Sequence, residues 1–481
     1  MTLAVEESNK EPKTVEVEDS TQRKESLQAT SIYRRITVSK KAWVVRVIML
    51  VIMIVIVSYN ILQCLASNDA FLVYSSLTSA HTILIFAFSW FLFKSKSEEA
   101  IPNDLVSVII PIYNQKKMIE DVIAAVCASS YQDIEVVAVD DGSTDGTKEV
   151  LDGLLKKYRK LVVIHKSNGG KRRAVATGFY ASKADYVVLV DSDSIVDQYA
   201  IEEIMKAFKA NPTVGGISGY GKVLNADDNI FTKLQDAWYD YAFNLHKTFE
   251  SIFGCVLCCS GCLAAYRREA IARYIPYWSE SKIQYSDDRA LTTYTIATPW
   301  ARKEFTPISQ KLLESMSQYD DAEDRSLTAQ TITQWDTVYI PTAVVQTEVP
   351  NTLGKYIRQQ IRWKKGYIRS NFFVSAFFWR RNPLMSLIFY TELMMTFTAP
   401  LIIFTMYFYA PFILNRYWLA LSYIAGQLFI GLVAGLDYRF RCRSAKYWMY
   451  KPLMNLFSSV VMSWTLIPAL ATLKKNQWLT R

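Results

Sequence analysis

Histidine and cysteine are scarce in this 481-residue chain, which has three histidines and seven cysteines. So few histidines leave little room for a His-based zinc site or a catalytic triad. We therefore expect carboxylates to be the catalytic groups. An odd and sparse set of cysteines also argues against a disulfide scaffold.

Four of the cysteines stand close together at 255, 258, 259 and 262, in CVLCCSGC. Structural zinc sites separate their ligand pairs by a longer loop, so this spacing does not favour zinc. We predict instead a loop of small residues that packs against the sheet.

The first 30 residues lack apolar periodicity, and no signal-peptide cleavage pattern precedes the first apolar run. Residues 1–40 are therefore predicted to be a disordered cytoplasmic tail. The net charge of +9 could indicate nucleic-acid binding. Basic residues beside apolar runs, however, are more typical of the cytoplasmic ends of membrane helices, which is the interpretation we favour.

The apolar residues make up 51% of the chain and the charged ones 21%, which indicates apolar segments joined to a charged soluble block. Two transmembrane helices are predicted in 42–94 and three or four in 384–475. Basic residues before the first pair and after it, such as Lys41 and Lys94, place both ends in the cytoplasm. Glu392 lies within one of the predicted transmembrane helices, where a carboxylate is costly unless it faces water or a partner.

Between these regions, residues 98–350 alternate short apolar runs with helical stretches. Runs such as IEVVAVD and DYVVLVD each end in polar residues, which is typical of β-α-β units. We predict an α/β, Rossmann-like, mainly parallel sheet whose ligands bind at the carboxyl ends of the strands.

The first acidic cluster follows such a strand in VDDGSTDG, where Asp140 or Asp141 could accept hydrogen bonds from a base or ribose. The preceding strand ends at Pro111 and Tyr113, whose backbone could frame the base. NGGKRRA then places Lys171 after two glycines, which suits a phosphate contact. It is not a Walker A loop, because Arg follows the lysine.

The second acidic cluster is VLVDSDS, with Asp191 and Asp193 after another apolar strand. Carboxylates two residues apart can share a divalent cation that bridges a diphosphate. Mg²⁺ or Mn²⁺ is the cofactor we expect.

An amphipathic stretch over 351–382 is predicted to lie at the membrane interface. It contains Gln359, Arg362 and Trp363. A guanidinium can clamp a diphosphate and an indole can stack on a sugar.

Taken in order, these motifs resemble those of processive family 2 glycosyltransferases, namely the hyaluronan synthases and their chitin-synthesising relatives. DDGSTD, DSD, DDRALT and QQIRWKKGYIRS carry the resemblance. It implies a GT-A catalytic domain fused to an α-helical transmembrane channel. It also implies a UDP-sugar donor held by the first acidic cluster, Lys171, Asp191, Gln359 and Arg362.

The resemblance further implies that a carboxylate acts as the general base and that Arg362 stabilises the departing UDP. Two acid-acid-Arg triplets compete for the base. The spacing to Arg362 favours Asp324 as the base. The sequence YSDDRALT resembles the acidic block of the hyaluronan synthases more closely, which favours Asp288. We favour Asp324. Around the acceptor we expect a set of four residues: Trp363, Cys262, Asp287 and Glu323.

The expected function is a membrane enzyme that polymerises UDP-N-acetylglucosamine, with UDP-glucuronate as second donor, and exports the polymer. A chitin-type synthase that uses one donor is the alternative, and a non-catalytic nucleotide-binding transporter or receptor is a distant one. Its partners would be the donor, the growing polysaccharide and the lipid bilayer, without nucleic acid. The location implied is the plasma membrane, with the catalytic domain in the cytoplasm.

Overall fold

The computed structural model describes residues 40–67, 70–95, 97, 100–281, 286–297, 334–442 and 445–474. Two apolar helices come first, α1 (Lys40–Ser67) and α2 (Ala70–Phe91). They pack against each other, so the N-terminal apolar runs form a helical hairpin.

Eight strands build the centre of the next block. They are β1 Val106–Ile112, β2 Ile134–Asp140, β3 Leu161–His165, β4 Tyr186–Leu189, β5 Ser194–Val196, β6 Val214–Val223, β7 Ala264–Arg267 and β8 Asp336–Thr347. They form one sheet in the order β3-β2-β1-β4-β7-β6-β8-β5. Parallel pairing joins β1 to β2 and β4, β2 to β3, and β6 to β8. Antiparallel pairing joins β7 to β4 and β6, and β5 to β8.

The strand β1 shows why the sheet forms here, because all seven of its residues, VSVIIPI, are buried. A continuous apolar run of this kind is typical of a strand covered by helices on both faces. The mainly parallel α/β sheet predicted from the sequence is confirmed.

Helices cover this sheet and carry several of its loops. They are α3 Ile119–Cys127, α4 Thr147–Lys157, α5 Lys171–Ala181, α6 Ala200–Ala210, α7 Ile230–Tyr241, α8 Thr248–Ile252, α9 Arg268–Ile271, α10 Ile275–Glu280 and α11 Asp287–Ile296. A π-helical segment, Ala242–Lys247, joins α7 to α8.

The chain then returns to long helices. α12 (Leu353–Phe378) carries the Gln-x-x-Arg-Trp motif, and the helices after it are α13 Pro383–Phe404, α14 Ala410–Phe412, α15 Tyr417–Arg441, α16 Tyr450–Val460 and α17 Leu466–Ala471. In the described part of the chain, four helices are long and apolar enough to cross a membrane. A fifth candidate is the pair formed by α16 with Met462–Ala471, which is bent by 44°. Two of these candidates lie within 40–91 and up to three within 383–471, the regions where two and three or four transmembrane helices are predicted.

Buried ion pairs connect the apolar helices to the block that contains the sheet. Arg46 on α1 donates to Asp437 on α15 at 2.7 Å. Arg441, one turn further along α15, donates to both carboxylate oxygens of Asp240 on α7, each at 2.7 Å. Removing one partner of such a pair would leave a buried charge unpaired, so these contacts fix α7 relative to α1 and α15.

Candidate active site

A cavity of about 2120 Å³ opens at the carboxyl ends of the strands and continues between the apolar helices. Most of the residues that the motifs single out line it: Pro111, Tyr113, Asp141, Lys171, Asp191, Asp193, Cys262, Asp287, Asp288, Gln359, Arg362 and Trp363. Ligand pockets in proteins are usually about 300–1,000 Å³, so this one has room for a nucleotide sugar and further sugar units.

The first acidic cluster divides into two environments. Asp141 faces the cavity and accepts hydrogen bonds from the backbone N–H groups of Gly169 (2.9 Å) and Gly170 (2.7 Å). Its neighbour Asp140 is buried beside the cavity, where it contacts the ring of His165 at 2.9 Å. Of the two aspartates that the sequence left open for the donor, the structure thus places Asp141 in the cavity wall.

Asp140 and His165 shift each other's titration. Burial acts to raise the pKa of Asp140, but hydrogen bonds from Ser143 and His165 outweigh it and lower the pKa. Burial likewise acts to lower the pKa of His165, while Asp140 and Asp152 raise it overall. His165 was missed in the sequence, although it ends β3 beside the acidic end of β2.

Lys171 and the second acidic cluster meet in the cavity. Lys171 opens α5 and forms an ion pair with Asp191. Burial acts to lower the pKa of Lys171, but Asp191 and Asp287 outweigh it and raise the pKa. Burial raises the pKa of Asp193 to about 6, and the charge of Asp191 adds to the rise.

The two members of the described acidic pair have different surroundings. Asp287 is buried and forms an ion pair with Arg172, whose guanidinium also donates to the carbonyl of Trp278 at 3.2 Å. Asp288 lines the cavity, where its Oδ1 accepts a hydrogen bond from the Arg289 backbone N–H at 2.8 Å and its Oδ2 accepts only longer ones, from Cys258 Sγ (3.5 Å) and the Gly261 N–H (3.4 Å). Asp288 is thus the member of the pair with capacity to accept a further proton donor.

The other acidic pair, Glu323 and Asp324, lies outside the described residues. Its assignment as base or acceptor contact stays a prediction.

The cysteine loop lies against this site. Cys258 and Cys262 line the cavity, and Cys255 and Cys259 are buried as free thiols. Burial raises the pKa of Cys258, and the charge of Asp288 adds to the rise. Its thiol therefore stays protonated and can donate to the Asp288 carboxylate.

Helix α12 closes the cavity over the acidic pair. Gln359 Oε1 is buried without a hydrogen-bond partner among the described residues, in the cavity wall. The ring of Trp363 stacks on that of Trp238 from α7, with centroids 5.8 Å apart and planes at 22°. Trp238 was not singled out in the sequence, because nothing local in the stretch DAWYDYAF relates it to a motif 125 positions away.

At the membrane end of the cavity, Glu392 on α13 has two partners. Its Oε1 lies 3.5 Å from His81 Nε2 on α2 and 3.5 Å from His246 Nδ1 on the π-helical segment. Glu392 therefore has the partners that we expected a carboxylate in a transmembrane helix to need.

Sequence comparison agrees with this geometry. The family described as Glycosyl transferase family 2 matches residues 107–275, which hold the strand-end acids and the cysteine loop. Residues 107–275 thus form a family 2 glycosyltransferase domain. The transferase activity and the family predicted from the motifs are confirmed.

Among the relatives of this chain is a hyaluronan synthase of Streptococcus pyogenes. It is 28% identical over 393 residues, which are 79% of this chain and 84% of the relative. An N-acetylglucosaminyltransferase of Azorhizobium caulinodans is 31% identical over 277 residues, 56% of this chain and 62% of the relative. A solved mannosyltransferase of Pyrobaculum calidifontis, in complex with GDP-Man and Mn²⁺, aligns at 18% identity and a TM-score of 0.46. That alignment covers 84% of this chain and 98% of the mannosyltransferase.

Proposed function

We propose that this glycosyltransferase polymerises UDP-sugars and passes the polymer through its own membrane helices. The supporting observation is the course of the cavity, which runs from Lys171 and Asp191 at the strand ends to Glu392 and Ala399 on the apolar helix α13. A transferase that released a short soluble product would not need such a path. Because relatives include a hyaluronan synthase, the donors proposed are UDP-N-acetylglucosamine and UDP-glucuronate.

At the donor end, we assign the base-side contacts to Pro111, Tyr113 and Asp141. Lys171 lies at the first turn of α5, where its ammonium and the helix N-terminus both favour a phosphate group. Donor binding would therefore displace Lys171 from Asp191 towards the diphosphate.

The residues present fit a hard divalent cation, Mg²⁺ or Mn²⁺, at Asp191 and Asp193. Both offer carboxylate oxygens, and burial together with the charge of Asp191 raises the pKa of Asp193, a cost that a bound cation would offset. One or two carboxylates together with substrate phosphates are a common way to hold Mg²⁺. When bound, the cation would neutralise charge on the donor diphosphate.

The transfer step needs one base and one group that stabilises the departing UDP. An acceptor hydroxyl oxygen attacks the anomeric carbon, its proton passes to a carboxylate, and the bond from that carbon to the UDP oxygen breaks with inversion. Among the described residues, Asp288 is best placed to take the proton. Arg362 and Gln359 on α12 would hold the diphosphate, and Trp363 would stack on the acceptor sugar.

We place the protein in the plasma membrane with the catalytic domain in the cytoplasm, because basic residues flank the apolar helices on that side. UDP-sugars are then reached directly from the cytoplasm. A chitin-type synthase with one donor is the alternative, which the N-acetylglucosaminyltransferase relative supports. A non-catalytic transporter or receptor does not fit a family 2 glycosyltransferase.

The proposal is tested by UDP release from the full-length protein in detergent with Mn²⁺ or Mg²⁺. Each donor is supplied alone and then both together, and any polymer is digested with hyaluronidase or chitinase. Polymer made only from both donors and cut by hyaluronidase is expected. Polymer from UDP-N-acetylglucosamine alone, cut by chitinase, would establish the alternative. Absence of UDP release in every mixture would contradict both.

A further inference from the structure

Lys247 is a buried cation in the cavity wall that the motifs do not include. It is the last residue of the π-helical segment Ala242–Lys247 and is only 8% exposed. Single π-helical turns within α-helices are frequent at functional sites, since they change which side chains face inward. Here the neighbouring His246 also lines the cavity.

The ammonium group of Lys247 is held by neutral partners. Its Nζ donates to Ser218 Oγ on β6 at 2.8 Å and to Ser260 Oγ in the cysteine loop at 2.6 Å. It also lies 4.1 Å from the ring centroid of Phe243. A lysine ammonium has three N–H donors, so one remains for a ligand.

Lys247 forms no ion pair with a carboxylate of the described residues. Throughout the described ranges, no Asp or Glu oxygen lies within 4.0 Å of its Nζ. By contrast, Lys171 pairs with Asp191 and Arg172 pairs with Asp287. Burying an ammonium without a counter-charge costs several kcal/mol, so an anionic ligand would offset an existing cost at this position.

The neighbours of Lys247 connect the strand-end site with the apolar helices. Its partner Ser260 precedes Gly261, where a Cβ would lie 3.2 Å from Asp191 Oδ2. On its other side, His246 contacts Glu392 at the membrane end. Lys247 thus lies between the catalytic carboxylates and the apolar helices. Neutral sugars offer only hydroxyl and amide groups there, whereas a uronic acid offers a carboxylate.

We propose that Lys247 binds the carboxylate of a uronic acid sugar and thereby sets the specificity of this site for acidic sugar units. The inference rests on the proposed function and deepens it. The carboxylate can come from the sugar nucleotide or from a unit already in the polymer, and both sources present the same group to the ammonium.

The donor source is tested with UDP-glucuronate and UDP-glucose, which differ only at C6. Their dissociation constants are measured by calorimetry on the full-length protein in detergent. We expect the wild type to prefer UDP-glucuronate by about 10-fold, as one charge-assisted hydrogen bond would give, and K247Q to lose that preference. K247R should retain most of it. The matched control is K233Q on α7, outside the cavity lining, with its ammonium 5.6 Å from the ring centroid of Tyr447.

The polymer source is tested by transfer from UDP-N-acetylglucosamine to oligosaccharides that contain glucuronate or only N-acetylglucosamine. If the polymer supplies the carboxylate, K247Q raises KM by about 10-fold for the acidic acceptor alone. If K247Q loses the preference for acidic ligands in the donor assay or in the acceptor assay, the result supports the proposal and identifies the source of the carboxylate. Equal losses for acidic and neutral ligands would show that Lys247 only fixes Ser218 and Ser260, and would overturn it.

The wild type alone can also refute the inference, whether or not the variants fold. If it shows no preference for acidic ligands in either arm, Lys247 does not bind a uronate. Continued UDP release from UDP-N-acetylglucosamine would then still support the proposed glycosyltransferase activity. The two claims therefore fail separately.

Discussion

Gly366 on α12 packs tightly against Ser286, the residue before the acidic pair, and its substitution gives a sharp test of the site. A Cβ on Gly366 would lie 2.1 Å from Ser286 Cβ and 2.4 Å from Ser286 Oγ. Ordinary contacts begin near 3.4 Å, so one backbone would have to move by more than 1 Å. Ser286 immediately precedes Asp287 and Asp288, and therefore any displacement reaches the candidate base.

For G366A we expect destabilisation of about 1–3 kcal/mol, the usual cost of forcing extra atoms into a packed contact. The expected loss in kcat is about 100-fold, because a shift of 1 Å at a reacting group can have that effect. S286G should rescue the variant. It removes the opposing Cβ and also relieves the positive φ of 60° at Ser286, which by itself should stabilise the protein by about 1 kcal/mol.

The assay combines UDP release with thermal unfolding of G366A, S286G and the double variant in detergent. G153A is the matched control, since nothing lies within 4 Å of a Cβ at that helical glycine. G153A should keep full activity and gain a little stability from better helix propensity. Wild-type kcat in G366A, or no recovery in the double variant, would refute the described docking of α12 on the acidic pair.

Three further predictions follow from individual contacts. D288N should lower kcat by about 10²–10⁴-fold and keep UDP affinity, as expected for loss of a general base. If only D324N does so, the second acidic pair holds the base. W238A should raise KM for the acceptor and keep UDP affinity, because Trp238 supports the ring of Trp363; a change in UDP affinity alone would contradict this. H165Q should lower the melting temperature more at pH 5.5 than at pH 9. Protonated His165 stabilises the fold below its unfolded pKa of about 6.5, and this contribution is lost as pH rises through the raised folded pKa. A larger effect at pH 9 would contradict the assigned contacts.

Those site residues that follow strands could be predicted from the sequence. Asp141, Lys171 and Asp191 each follow a parallel strand or its loop, so the topology brings them to one edge of the sheet. The apolar runs likewise predicted the long helices. The local sequence pattern is sufficient for the strands, because a strand that is buried on both faces has a continuous apolar run.

Contacts between distant segments could not be predicted in this way. Arg172 stands in the quoted motif NGGKRRA, but its pairing with Asp287 spans 115 positions. Lys247 faces the cavity because of a π-helical turn, and no pattern in the sequence marks that turn. Which acid of a pair faces the substrate depends on such packing, and so does the choice between Asp140 and Asp141.

The central claim is that the polymer passes from the catalytic end into the membrane helices, and reconstitution tests it most directly. The full-length protein is placed in sealed vesicles, and labelled donors are supplied outside with Mg²⁺ or Mn²⁺. Only proteins with an outward catalytic domain can then react. We expect labelled polymer inside the vesicles, protected from added glycosidase until detergent is present. Polymer that is fully digested without detergent, or products of one added sugar, would contradict the account.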